Sequence, residues 1–241
     1  MTQATYRTNL AELRGVQKSG AGEPAYLRWV NRPLGARAAA LAFRIGLTPN
    51  AVTAISGTLS LAGLVAVALG GTRPEVAVAA TILLLAGFAL DSADGQLARL
   101  AGMGSRSGEW LDHVVDSIRL PLAHLAIAVC LYFADAPLWA VGASLGFSIV
   151  ASVWFFAATL ATQLLDRSQP GPQRVQEPAT APTWVSFAKL PFDTAALFFL
   201  ILLLPLMPVF LVGYSALLVL TLAAALIALR RKYNSLRRET V

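Results

Sequence analysis

The chain has 241 residues, of which 56% are hydrophobic and 13% charged, against about 25% charged in an ordinary soluble domain. That balance leaves too little polar chain for a separate water-soluble domain. The net charge of +6 invites a nucleic-acid partner, but the basic residues are distributed as a membrane topology would distribute them, so none is expected.

In chain order, residues 1–32 read as a polar N-terminal segment, with 1–24 carrying scattered glycines and expected to be mobile. Met1 to Gly22 lacks a short apolar core with a cleavage site, so no removable signal peptide is expected. From Pro33 to Gly46 an apolar stretch places Arg37 and Arg44 two helical turns apart, on one face. A helix with such a basic stripe and an Ala/Leu/Phe face is expected to lie in the membrane interface. Thr48-Pro49 then supplies an N-cap and a proline at the first helical position.

Apolar stretches near 49–70, 76–98, 109–133, 138–164, 186–205 and 208–229 have the length, roughly 20 residues, that crosses a bilayer. Short turns at Gly70–Pro74 and Ala134–Pro137 make the first four antiparallel neighbours. The connection from Asp166 to Pro182 holds Pro170, Pro172, Pro178 and Pro182 and is expected to be irregular and exposed. The expected fold is an all-α integral membrane protein: six transmembrane helices plus an N-terminal interfacial amphipathic helix. Its membrane domain covers 33–230, and 231–241 form a basic tail. Cys130, the chain's one cysteine, lies in the third span and reads as packing.

Seven basic residues precede the first span (Arg7, Arg14, Lys18, Arg28, Arg32, Arg37, Arg44), and five follow the last (Arg230, Arg231, Lys232, Arg237, Arg238). Arg99 and Arg106 flank the turn between spans two and three, whereas only Arg73 falls in a loop of the other side. By the positive-inside rule this predicts a multi-pass cell-membrane protein with both termini on the cytoplasmic side.

Against that apolar background, five of the thirteen acids fall between Asp91 and Asp116. Asp91 and Asp94 are three apart, Asp112 and Asp116 four apart, so each pair shares a helical face. The pairs lie at the cytoplasmic ends of spans two and three, joined by a short turn, and converge. Four carboxylates at such range repel in a low dielectric and need cations. Oxygen ligands favour Mg²⁺ or Mn²⁺ over zinc. Gly95, Ala98 and Gly108 leave room for close approach, and Arg99 beside the acids offers a bidentate contact to phosphate. Metal-holding carboxylates with a phosphate-binding arginine indicate phosphoryl-group chemistry.

Asp91, Asp94, Gly95, Ala98, Arg99, Gly108, Asp112 and Asp116, at these spacings, resemble the signature of the CDP-alcohol phosphotransferase (CDP-alcohol phosphatidyltransferase) family. The resemblance implies transfer of a substituted phosphate from a CDP-linked donor to an alcohol, releasing CMP, in phospholipid biosynthesis. It also implies two divalent metal ions held by Asp91, Asp94, Asp112 and Asp116, with Asp116 as the catalytic general base. Gly95, Ala98, Arg99 and Gly108 are implied to line the CDP site, and the assembly to be a homodimer. CDP-diacylglycerol is the expected donor and a small polar alcohol the acceptor. Arg119, Arg106, Lys189 and His113 are the candidates for the acceptor or a phosphate. An alternative is a CDP-aminoalcohol (choline/ethanolamine-type) enzyme acting on a lipid hydroxyl, because Gly108-Glu109, Asp112-His113 and Asp116-Ser117 are similar to that branch. A transporter using the acids for cations or protons predicts acids in the middle of spans four to six, which carry none.

Overall fold

The computed structural model describes residues 6–16, 20–168 and 181–239. Every regular element among them is helical. Part of the segment expected to be mobile forms α1 (Tyr6–Val16). Its Tyr6, Leu10 and Leu13 recur at helical spacing and pack in one cluster with alanines of α2 (Arg32–Arg44). Leu13 and Asn9 are fully buried. Pro170, Pro172 and Pro178 lie outside the described residues.

A π-helical turn (Leu27–Asn31) leads into α2. The small residues of α2 (Gly35, Ala36, Ala39, Ala40, Ala42) are buried, while Leu34, Arg37, Leu41 and Arg44 are exposed. Its small face meets α4 (Pro74–Ala101). A Cβ on Gly35 would come within 2.9 Å of Ser92 Oγ and Gln96 Nε2. Small side chains thus let one face of this helix pack closely on α4.

α3 (Pro49–Gly70) begins where Thr48 Oγ1 accepts the Ala51 N–H at 3.2 Å. It packs closely on α4: Ser56 Oγ donates to the Gly87 carbonyl at 2.8 Å. α5 (Arg106–Phe133) is capped by Ser105, whose Oγ accepts the Gly108 N–H at 3.0 Å. α6 (Leu138–Ser168) follows. Together with the last helix, Met207–Glu239, these make five helices among the described residues that are long and apolar enough to cross a membrane.

The stretch 186–205 is broken where the sequence reading has one span. It holds α7 (Thr183–Ala188), a 3₁₀ turn (Leu190–Phe192) and α8 (Thr194–Ile201), then turns up to α9 (Met207–Glu239). The breaks have local causes. Pro191 lacks an N–H to donate. Asp193 turns its side chain into a cap, Oδ1 accepting the Ala195 N–H at 3.1 Å. Its Oδ2 accepts the Leu27 N–H at 2.8 Å, tying α8 to the N-terminal segment.

α6 and α9 run in the same direction. Tyr214, early in α9, lies 5.4 Å from Phe147, early in α6, and Lys232 Nζ near the end of α9 donates to Thr162 Oγ1 at 2.8 Å. The connection between them therefore returns the chain from one end of the bundle to the other. The core gathers Leu84, Phe88, Ile127, Leu131, Phe198 and Tyr214. His124 sits within it, stacked on Phe147 at 3.8 Å with Nδ1 2.8 Å from the Tyr214 hydroxyl. Outward positions of α6 and α9 such as Ile149, Phe156, Val212 and Val219 are exposed and apolar, as lipid-facing helices require.

Candidate active site at the carboxylate cluster

The last turns of α4 and the first turns of α5 meet at one end of the bundle. A left-handed Gly102 (φ 63°) ends α4 and lets the chain turn back. Asp94 is buried, accepting from Thr53 Oγ1 of α3 at 2.5 Å and from the Gly95 N–H. Asp91 and Asp116, on different helices, share one guanidinium nitrogen. Arg119 Nη2 is 3.1 Å from Asp91 Oδ2 and directly bonded to Asp116 Oδ1. Asp91 also lies within electrostatic range of Asp94, Asp112 and Asp116. The helical spacing thus brings all four acids together.

This donor set fits a divalent cation. Asp112, His113 and Asp116 each offer a ligand atom, all within 4.8 Å of one another. Asp91 Oδ1 and His113 Nδ1 are buried without a hydrogen-bond partner among the described residues, which is where a cation would be satisfied. His113, three residues before Asp116, lies on the same side of α5 and adds one nitrogen to the atoms that could hold a cation. Its ring also meets Phe155 of α6 edge-on at 6.2 Å.

The motif's small residues differ in what surrounds them. Within 4 Å of a Cβ added at Gly95 lies only Arg99 Nη1, at 3.7 Å, so helix packing does not require this glycine. At Gly108 the added Cβ would stand 3.1 Å from Ser105 Oγ and 3.2 Å from Asn50 Oδ1. Ala98 is half-buried. Arg99 is exposed and lines a cavity of about 290 Å³ with Asn31, Arg32, Asp91, Ser92 and Gln96. A second cavity of about 320 Å³, mostly apolar, opens between α5, α6, α8 and α9, lined by Leu120, Phe147, Trp154, Phe155, Leu197 and Leu217 among others. It adjoins the cluster, since Leu120 follows Asp116 by one turn and Phe155 touches His113.

Of the acceptor candidates, the structure brings Arg119 and His113 into the cluster. Arg106 is exposed at the first position of α5. Lys189 donates to the Gly22 carbonyl at 2.7 Å, fastening the end of α7 to the N-terminal segment. Sequence reasoning did not find Thr53, Asn31, Arg32, Ser92 and Gln96. Ser92 and Gln96 had one available signal, an i,i+4 pair on the motif helix; Thr53 lies 41 residues before Asp94 and had none.

The family model described as CDP-alcohol phosphatidyltransferase matches residues 46–230. That match takes in α3 to α8 and most of α9, and leaves α1 and α2 outside. A search of curated proteins gave no match.

Proposed function

Because the chain belongs to the CDP-alcohol phosphatidyltransferase family, we propose that it transfers the phosphatidyl group of CDP-diacylglycerol to a small polar alcohol and releases CMP. The observation that carries this reading is the convergence of Asp91, Asp94, Asp112 and Asp116, with open space at Gly95 next to Asp94 in the chain. An apolar cavity beside the cluster supports a lipid-bearing donor over a wholly water-soluble one.

In this reading Asp91, Asp94, Asp112 and Asp116 hold two divalent ions, Mg²⁺ or Mn²⁺, with His113 adjoining. When bound, such ions neutralise the donor's pyrophosphate and stabilise the departing CMP oxygen. Gly95 and Ala98 let the nucleotide approach α4, Arg99 donates to a phosphate oxygen, and Gly108 shapes the opposite wall. Thr53 holds Asp94 in one orientation. Asp116 takes the proton of the acceptor hydroxyl as its oxygen bonds to phosphorus and the bond to CMP breaks.

The membrane arrangement belongs to the same proposal. The five long helices and the composite segment 183–206 make six crossings, α2 rests at the interface, and the termini and cluster face the cytoplasm. The active unit is a homodimer.

The test is incubation of the purified protein with CDP-diacylglycerol, Mg²⁺ or Mn²⁺, and a panel of glycerol phosphate, inositol, inositol phosphate and serine. Mass spectrometry of the lipid product names the acceptor. Metal-dependent CMP release with a new phospholipid is expected. Product only from CDP-choline or CDP-ethanolamine with diacylglycerol would reverse the roles of lipid and alcohol. No CMP release from any CDP donor would sink the enzyme reading.

A further inference from the structure

We propose that Arg119 is a resident counter-ion of the carboxylate cluster that competes with divalent cations for Asp91 and Asp116 and thereby sets the cluster's metal affinity. The inference rests on the metal-binding reading of the cluster given above.

Arg119 leaves α5 one turn after Asp116 and is 6% exposed. Its Nη2 is within hydrogen-bond reach of Asp91 Oδ2 on α4 and of Asp116 Oδ1 on its own helix. One nitrogen therefore does for these two carboxylates what a bridging cation would do. An arginine acting purely as a structural lock uses its planar fork, two parallel bonds to one carboxylate, with the remaining donors satisfied. Arg119 does neither. Its Nε and Nη1 are buried without a partner among the described residues, and so is Asp91 Oδ1.

Idle donors beside an idle acceptor describe a half-satisfied network, costly to keep in a low-dielectric site. The arrangement has a use if the contacts are exchangeable. A divalent ion entering at Asp91 and Asp116 must share carboxylates whose charge Nη2 already draws on, and it meets the guanidinium's positive charge at close range. Both effects oppose binding. In return, the guanidinium relieves repulsion among acids that lie within electrostatic range of one another when fewer ions are bound. Arg119 thus trades metal affinity for tolerance of low metal concentration.

The two roles of Arg119 differ in the sign of one measurement. If it only positions Asp91 and Asp116, removing it disorders the ligands and weakens metal binding. If it competes, removing it strengthens metal binding. Equilibrium Mn²⁺ binding, followed by the electron paramagnetic resonance of free Mn²⁺, is to be compared in full-length wild type, Arg119→Gln and Arg119→Lys, with Asp91→Asn marking binding at the cluster. Arg119→Gln is expected to bind roughly tenfold tighter. Arg119→Lys keeps the charge but loses the planar shared contact, and is expected to fall between Arg119→Gln and wild type. Without added metal, the thermal midpoint of Arg119→Gln drops below wild type, and saturating Mg²⁺ closes most of that gap. Unchanged or weaker Mn²⁺ binding in either folded variant overturns the proposal. If Arg119→Gln does not fold, Arg119→Lys decides it on the same criterion. A wild type that binds Mn²⁺ no better than Asp91→Asn overturns the metal reading itself, which is a separate result.

Discussion

Gly87 and Gly95 are two turns apart on α4, and the space around them assigns them different work. A Cβ at Gly87 would stand 2.4 Å from Ser60 Oγ and 3.0 Å from the Ser56 carbonyl, so this glycine lets α3 and α4 touch. Gly87→Ala is expected to cost about 1–3 kcal/mol of stability, read as a lowered thermal midpoint. Gly95→Ala should leave that midpoint near wild type and weaken CDP-donor binding, because the methyl group fills the approach to the cluster. An equal loss of stability in both variants would make Gly95 a packing residue. Asp116 offers a sharper test of chemistry. Asp116→Asn is expected to keep donor binding within a few-fold of wild type while turnover falls roughly a hundredfold or more, compared by equilibrium binding and initial rates of CMP release. Full turnover would remove Asp116 from the base role. The four acids were legible because helical spacing is local information. Thr53 and the Asp91–Arg119 contact were not, since each joins residues from different helices whose packing no local spacing encodes.

Asp193 shows how one polar side chain reshapes an element that hydropathy alone reads as continuous. The apolar residues from 194 to 204 carry the average hydropathy of a span. Pro191, Asp193 and Pro205 interrupt the backbone hydrogen bonding that a single helix there would need. Asp193 satisfies two backbone donors, Ala195 N–H and Leu27 N–H, from different parts of the chain. Asp193→Ala leaves both unpaired and is expected to cost about 1–3 kcal/mol, seen as a lower thermal midpoint and faster amide exchange at Leu27. Unchanged exchange at Leu27 would mean that the clamp is not maintained. Helices α3 to α6 were legible because each begins at a capping or turn residue and holds a long apolar run: Thr48-Pro49, Pro74, Ser105 and Pro137. α1 was not, because its polar composition hid a three-residue apolar face that becomes useful only when α2 is beside it.

For the whole molecule, the parallel course of α6 and α9 makes the number of crossings testable separately from their orientation. α5 and α6 are antiparallel, with His113 early in one touching Phe155 late in the other. The end of α6, the carboxylate cluster and the end of α9 therefore lie on one side. Five crossings would put the basic residues 230–238 opposite the cluster; six put them together. Cys130 is buried and is the chain's only cysteine, so Cys130→Ala gives a background for single-cysteine labelling. Gly104, Thr72 and Asn234 are suitable sites: Gly104 lies in open space between α4 and α5, Thr72 in the turn before α4, and Asn234 is exposed near the end of α9. In intact cells a membrane-impermeant maleimide is expected to label Thr72→Cys and to spare Gly104→Cys and Asn234→Cys until the membrane is permeabilised. Labelling of Gly104→Cys and Asn234→Cys together from outside would reverse the orientation but keep the six crossings. Opposite behaviour of those two sites would break the composite crossing, and with it the placement of the basic tail beside the carboxylate cluster.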